Sequence, residues 1–156
     1  MVFAVKVGSY RKNYERLSYM KIEHIAIWTK DLERLKDYYV KFFKGKSNSK
    51  YLNPKTRFES YFISFESGCR LELMTIPDLV EKETDKFNRT GITHFAFEVE
   101  SKQEVDLKAA ELSVAGFPIL KGPRITGDGY YEFETIDIDG NKIEVTTTKM
   151  TLPLTS

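Results

Sequence analysis

Two short stretches decide the fold of this chain: KIEHIAI at residues 21–27 and GITHFAF at residues 91–97. Both read Ile-x-His-apolar-Ala-apolar, and they contain the only two histidines of the protein, His24 and His94. A second pair of stretches follows in the same order, GCRLE at 68–72 and GNKIE at 140–144. The chain therefore repeats one pattern, with a histidine and a glutamate at matching positions in each copy.

The alternation of side chains within these stretches is typical of half-buried strands, whose successive residues face opposite sides of a sheet. Ile25 and Ile27 face one side of the first strand, and His24 faces the other. Glu72 and Glu144 alternate in the same way with aliphatic neighbours. If helices cover the aliphatic sides, both histidines and both glutamates point to the opposite, concave side.

Imidazole nitrogens and carboxylate oxygens are suitable ligands for a divalent transition metal. Two of each leave coordination positions open for water or substrate. The pattern therefore predicts a site for Zn²⁺, Ni²⁺, Co²⁺, Mn²⁺ or Fe²⁺ formed by His24, Glu72, His94 and Glu144.

Each copy of the pattern reads as strand, helix and three further strands, and the fold class is therefore α+β with two βαβββ modules. The first helix is predicted over 31–43, with Asp31 as its N-cap and Gly45 as its stop. The second begins at the capping box Ser101-x-x-Glu104 and ends at Gly116. Strands are predicted near 22–29, 49–52, 59–65 and 70–75, and near 93–99, 117–120, 130–135 and 142–147.

The two modules, residues 20–76 and 90–148, are expected to form one domain over 20–148. A single four-stranded unit has too small a core to be stable alone, so the modules must pack together or exchange between chains. The charged stretch 77–89 is interpreted as the linker between them. Residues 1–19 are interpreted as an N-terminal extension outside the core, and residues 149–156 as a C-terminal tail.

Composition excludes several classes of partner. The 24 basic and 23 acidic residues give a net charge of +1, without a basic stripe for nucleic acid. No apolar run approaches the roughly 18–20 residues that span a membrane. The chain's one cysteine cannot form an internal disulfide and suits a reducing compartment, so we expect a cytoplasmic protein with a small-molecule substrate.

The repeat, together with GDGYY at 127–131 and DGNKIE at 139–144, resembles the glyoxalase/bleomycin-resistance/dioxygenase (vicinal oxygen chelate) superfamily over about residues 20–148. The resemblance implies paired βαβββ modules that form an open barrel-like sheet around a central metal cleft. It also implies a homodimer, and it places the four metal ligands at His24, Glu72, His94 and Glu144.

The ligand order His-Glu-His-Glu resembles glyoxalase I, the lactoylglutathione lyases. This implies a metal-dependent isomerase or lyase, with nickel or zinc favoured, acting on a small α-oxo or hemithioacetal substrate through an enediolate. One of Glu72 and Glu144 would be the general base and the other would guide the proton at the adjacent carbon. The symmetry of the repeat leaves both assignments open, and the resemblance favours Glu144 as the base. One position departs from the glutathione-dependent members, which carry an arginine for the glutathione carboxylate where this chain has Trp28.

Two other functions stay open. One is a non-catalytic bleomycin-resistance-like protein that binds an aromatic ligand in the same cleft, and the other is a thiol transferase of the fosfomycin-resistance type. The expected substrate pocket includes Trp28, Tyr130 and Tyr131, although only one of the two neighbouring tyrosines can face inward in a strand.

Overall fold

A computed structural model of the protein describes residues 21–80 and 91–147. The expected extension at 1–19, the tail at 149–156 and most of the expected linker lie outside the described residues. Among the described helices, none combines the length and apolar character needed to cross a bilayer.

The described residues form two sheets, each covered by one helix. The elements are β1 (His24–Trp28), α1 (Leu32–Phe43), β2 (Lys46–Ser47), β3 (Tyr51–Leu52), β4 (Glu59–Ser64), β5 (Arg70–Thr75), β6 (Phe95–Val99), α2 (Lys102–Val114), β7 (Ile119–Ile125), β8 (Tyr131–Ile136) and β9 (Lys142–Thr147). The first sheet has the strand order β1-β5-β4-β2, with β3 paired to β4, and the second has the order β6-β9-β8-β7. In both, the first strand of the module runs parallel to the last one. The expected two-module α+β fold is confirmed, and the sheets stay separate rather than closing into a barrel.

Helix α1 begins as the sequence predicts, with the Asp31 side chain accepting a hydrogen bond from the Arg34 amide. Its end differs from the prediction. The left-handed C-cap is Lys44, with φ of 53°, and not Gly45. Gly45 is needed for space, because a Cβ there would lie 2.4 Å from Cγ2 of Ile63. Gly45 still takes part in the helix stop, since its amide donates to the Tyr39 carbonyl, but the absence of a side chain there is required by Ile63.

Helix α2 confirms the capping box at its start. The Ser101 hydroxyl accepts from the Glu104 amide, and the Glu104 carboxylate accepts from the Glu100 amide. Glu104 thus reaches one residue further back than the standard pattern. The two side chains thus satisfy one backbone amide inside the first turn of the helix and one just before it.

Two strands were missed or shortened by the sequence prediction. The short β2 has no alternating signal of its own. Strand β7 runs on to Ile125, beyond the expected end at residue 120, although it contains Pro123. Proline is tolerated there because β7 is an edge strand, and two register shifts interrupt its pairing with β8.

The predicted alternation along the inner strands is confirmed. Ile27, Leu71 and Leu73 are buried on the helix side of the first sheet, and Ile143 and Val145 on that of the second. The opposite side of each sheet, here called its open face, carries the histidine and glutamate of each repeat. The open faces are less buried and more polar than the helix sides.

The two modules are joined by an aromatic seam along α1. The Tyr38 ring packs on Phe117 with 4.8 Å between centroids, and Phe43 packs on Phe97 at 4.4 Å. The Lys108 ammonium of α2 donates to the Phe42 carbonyl at 2.6 Å. One continuous apolar core therefore includes both helices and both sheets.

A buried hydrogen bond sits in the middle of this seam. The Tyr39 hydroxyl donates to Asp137 Oδ2 at 2.8 Å, and Asp137 is only 2% exposed. The other oxygen of Asp137 accepts from the amides of Asp139 and Asn141, which closes the turn before β9. Burial, with the Asp137 charge next, raises the pKa of Tyr39 well above its usual value of 10.0. A hydrogen bond thus joins helix α1 of the first module to the turn before β9 of the second.

Replacing Tyr39 with Phe should lower the free energy of unfolding by about 2 kcal/mol, because it removes a buried hydrogen bond to a carboxylate. Urea unfolding followed by circular dichroism measures the change. The matched control is Tyr51→Phe, since the Tyr51 side chain is 53% exposed and should change stability by less than about 0.5 kcal/mol. Equal losses in the two variants would contradict a bonding role for Tyr39.

Candidate metal centre

The first repeat brings His24 and Glu72 together on the open face of its sheet. Strand β1 pairs with β5 so that Ala26 lies opposite Glu72, which places His24 diagonally beside it. The Nε2 atom of His24 is 3.6 Å from Oε2 of Glu72. The imidazole side chain is 40% exposed and the carboxylate 17%, so the pair is open to solvent from one side.

The second repeat reproduces this pair. Ala96 lies opposite Glu144 in the parallel pairing of β6 and β9. His94 Nε2 is again 3.6 Å from Glu144 Oε2, and the two side chains have the same exposed fractions as in the first repeat. The structure therefore places the four predicted residues as two equivalent His–Glu pairs.

In both pairs the residue before the histidine holds the other ring nitrogen. His24 Nδ1 lies 2.6 Å from Glu23 Oε2, and His94 Nδ1 lies 3.0 Å from Thr93 Oγ1. Partners of this kind fix ring orientation and tautomer in metal sites. The hydrogen bond with His24 also lowers the pKa of Glu23. Sequence reasoning missed both partners, although each immediately precedes its histidine.

The spacing of each pair fits one metal ion. Two donors bound about 2.1 Å from the same ion at ordinary coordination angles lie about 3.0–3.4 Å apart. The observed 3.6 Å between nitrogen and oxygen needs only a small movement of either side chain. Each pair therefore has the donor types and the spacing of half a coordination shell.

The two pairs do not join within one chain. Across residues 21–80 and 91–147, no three side chains of His, Cys, Asp or Glu gather in a metal-binding arrangement. Each pair lies on the open face of its own sheet, and the sheets are linked on their opposite sides through α1. Each His–Glu pair is called a half site below.

The surroundings of the first half site are largely aromatic. The Phe62 ring meets the His24 ring edge-on with 5.5 Å between centroids. The Arg70 guanidinium lies 4.0 Å above the Phe62 ring, and its Nε donates to Glu23 Oε1 at 2.7 Å. Glu23 therefore orients His24 and neutralises Arg70 at the same time.

The second half site has charged surroundings. Glu134 of β8 lies directly opposite Glu144, and Glu132 is a neighbour on the same face. Burial, and next the charge of Glu144, raise the pKa of Glu132. Burial acts to raise the pKa of Glu134 too, but hydrogen bonds from Lys121 and Lys142 outweigh it and the pKa is lowered. These two glutamates were missed, although their alternation with Phe133 places them on the face of Glu144.

The two expected pocket tyrosines fall on different sides of the sheet. The Tyr131 hydroxyl donates to Asp106 Oδ1 of helix α2 at 2.7 Å. Tyr131 therefore lies on the helix side, away from the open face, and its expected place in the substrate pocket is wrong. Tyr130 precedes β8, is 36% exposed and shares the strand parity of Glu132.

Comparison with known proteins finds a relative in sequence. An uncharacterized protein of Bacillus subtilis (strain 168), YqjT, is 37% identical over 60 residues. The match covers 36% of this chain and 47% of that protein, so the chain spans about half the length of the relative it matches.

Solved structures resemble the fold over most of its length. A trypanothione-dependent glyoxalase I of Leishmania major superposes with a TM-score of 0.67 at 22% identity, covering 83% of this chain and 87% of that one. The fosfomycin resistance protein FosX of Listeria monocytogenes, complexed with Mn(II) and sulfate, superposes with a TM-score of 0.62 at 16% identity, covering 85% and 96%.

A family model matches residues 21–145, which include both sheets and all four residues of the two half sites. The matched region begins before β1 and ends within β9. The chain belongs to the Glyoxalase/Bleomycin resistance protein/Dioxygenase superfamily.

Proposed function

We propose that the protein is a metal-dependent isomerase or lyase of the glyoxalase I type, acting on a small α-oxo or hemithioacetal substrate. The observation that carries the proposal is the pair of equivalent half sites. In each, one imidazole nitrogen is held by the preceding residue and the other faces a glutamate at 3.6 Å. Such matched orientation is expected of metal ligands and has no evident value for stability on an exposed face.

His24, Glu72, His94 and Glu144 would hold the ion, with nickel or zinc favoured. Bound there, a divalent ion would act as a Lewis acid towards two vicinal oxygens of the substrate. The donor set contains no thiolate, which agrees with an ion of this class.

A homodimer would complete the site. The first half site of one chain would face the second half site of another copy, which gives two sites per dimer. Large exposed apolar side chains beside the histidines support this arrangement, with Ile22 70% and Ile92 81% exposed. Burying them against a second copy would be favourable.

Within the site, the chain's own carboxylates would move the proton. Glu144 would take it from the carbon beside the carbonyl, and Glu72 would guide its return at the adjacent carbon. The neighbours differ in a way that supports this division. Glu134 lies directly opposite Glu144 and Glu132 is a further carboxylate on the same face, whereas Phe62 occupies the cross-strand position beside Glu72.

Adding Zn²⁺ or Ni²⁺ to metal-free protein should raise its melting temperature. Metal at one hundred times its dissociation constant contributes about 2.7 kcal/mol, which corresponds to roughly 5–10 °C for a domain of this size. His24→Ala and His94→Ala should each remove most of the shift, while Glu66→Gln in an exposed loop should keep it. No shift in the unaltered protein, with no metal after dialysis, would leave the non-catalytic binding alternative.

Glu144→Gln should lower kcat for hemithioacetal isomerisation by at least about 100-fold, because an amide cannot act as a general base. The assay uses methylglyoxal with several thiols, and metal content is measured alongside so that lost metal is not mistaken for lost chemistry. Glu66→Gln serves as the control and should keep full activity. A Glu144→Gln variant as active as the unaltered protein would exclude Glu144 as the base.

The shared site predicts complementation between two inactive chains. One chain carries His24→Ala with Glu72→Gln, and the other carries His94→Ala with Glu144→Gln. After mixing and exchange, each mixed dimer should contain one intact site, so up to about one quarter of the normal activity returns when half of the dimers are mixed. Activity that stays at zero although mass spectrometry detects mixed dimers would contradict a site shared between chains.

A further inference from the structure

The two open faces carry the same His–Glu pair but opposite surroundings. Trp28 lies beside Met74 across β1 and β5, and Met74 lies opposite Ser60 of β4. The matching positions of the second repeat hold Glu98, Thr146 and Glu132. Phe62 beside Glu72 likewise corresponds to Glu134 beside Glu144. One half site is therefore bordered by aromatic and thioether groups, and the other by carboxylates.

The aromatic side chains of the first open face form a wall at a defined place. The Trp28 ring meets Phe58 edge-on with 6.2 Å between centroids, and Phe58 packs against Tyr51 at 6.1 Å. Trp28 is nevertheless 47% exposed. A tryptophan that meets Phe58 edge-on and leaves about half of its surface exposed offers a flat apolar area to a further ring.

The wall lies within reach of the proposed metal. Trp28 and Met74 are two residues further along their strands than Ala26 and Glu72, a distance of about 7 Å. In a ligand that chelates the metal through two oxygens and carries an aromatic ring on the same carbon skeleton, the far edge of the ring lies about this far from the oxygens. A ligand held at Glu72 by its oxygens would therefore lay such a ring against Trp28.

Charge on this face argues against an anionic substituent. The basic side chain in this aromatic group, Arg70, is paired with Glu23 through both Nε and Nη2. Its guanidinium also lies flat on Phe62, which further fixes it. A carboxylate at this end of the cleft would thus compete with Glu23 for its cation, whereas a neutral ring needs no such partner.

We propose that the open face of the first sheet, with Trp28 and Phe58 as its contacts, binds a neutral aromatic group of the substrate next to the metal-chelating oxygens. The inference rests on the proposed function, because it assumes that the chelating end lies at His24 and Glu72. It assigns Trp28 a specificity-determining role: the two repeats share their ligands, and the difference between their surroundings orients the substrate.

The protein offers a direct readout, since Trp28 is its only tryptophan. Benzohydroxamate and acetohydroxamate chelate metals through the same two vicinal oxygens and differ in the ring. With zinc-loaded protein, benzohydroxamate should bind at least about tenfold more tightly than acetohydroxamate and should change the Trp28 emission on saturation. Phe58→Ala should reduce that preference about threefold, as expected when one aromatic contact that supports Trp28 is lost.

Calorimetry extends the test to variants without tryptophan fluorescence. Trp28→Ala should remove the preference, and Trp28→Phe should retain most of it. The control is Glu66→Gln, in the exposed loop before β5, which should leave the ratio of the two affinities unchanged. Two hydroxamates that bind equally well would overturn the aromatic subsite while leaving the metal site in place.

A metal-free measurement separates this inference from the proposed function. 2-Naphthol should quench Trp28 fluorescence saturably in metal-free protein, and cyclohexanol should not. If neither hydroxamate binds zinc-loaded protein but 2-naphthol still quenches, the metal function fails and the aromatic subsite survives. If 2-naphthol has no saturable effect and the Trp28 emission instead shifts only with protein concentration, a second copy covers this face and the inference is wrong.

Discussion

The hydrogen bond from Tyr39 to Asp137 is the constraint around which the rest of the described structure is arranged. It joins helix α1 of the first module to the turn that precedes β9, the last strand of the second module. A buried carboxylate must be satisfied by donors, and Asp137 obtains them from both its own turn and the neighbouring module. The modules are consequently held together on their helix sides, and both open faces are directed away from the shared core.

This arrangement separates the residues that stabilise the fold from the polar residues of the candidate site. Stability comes from the aromatic seam and the aliphatic sides of the sheets, where Leu73 and Ile143 are fully buried. The polar residues of the open faces contribute little to that core and are free to diverge. The repeats show this divergence: the His–Glu pair is the same in both, while Phe62 in one is Glu134 in the other.

Much of this could be predicted from sequence because period-two alternation determines the face of each side chain. The strands that carry Glu72 and Glu144 were predicted to the residue, and both helices began where their caps indicated. The predictions that failed concern residues whose contacts are with neighbours distant in sequence. The close approach of Gly45 to Ile63 and the bond from Tyr131 to Asp106 both arise from tertiary packing, which no local pattern encodes.

The division of the four candidate ligands between two sheets has a consequence for how the protein would respond to its own abundance. In the proposed arrangement a complete coordination shell exists only where two chains meet. Metal binding would then depend on the concentration of the protein as well as on that of the metal. The bound ion would stabilise the dimer, and the dimer would stabilise the bound ion. Dilution would release ion and partner together, so occupancy of the site would rise more steeply with expression level than that of a site contained in one chain.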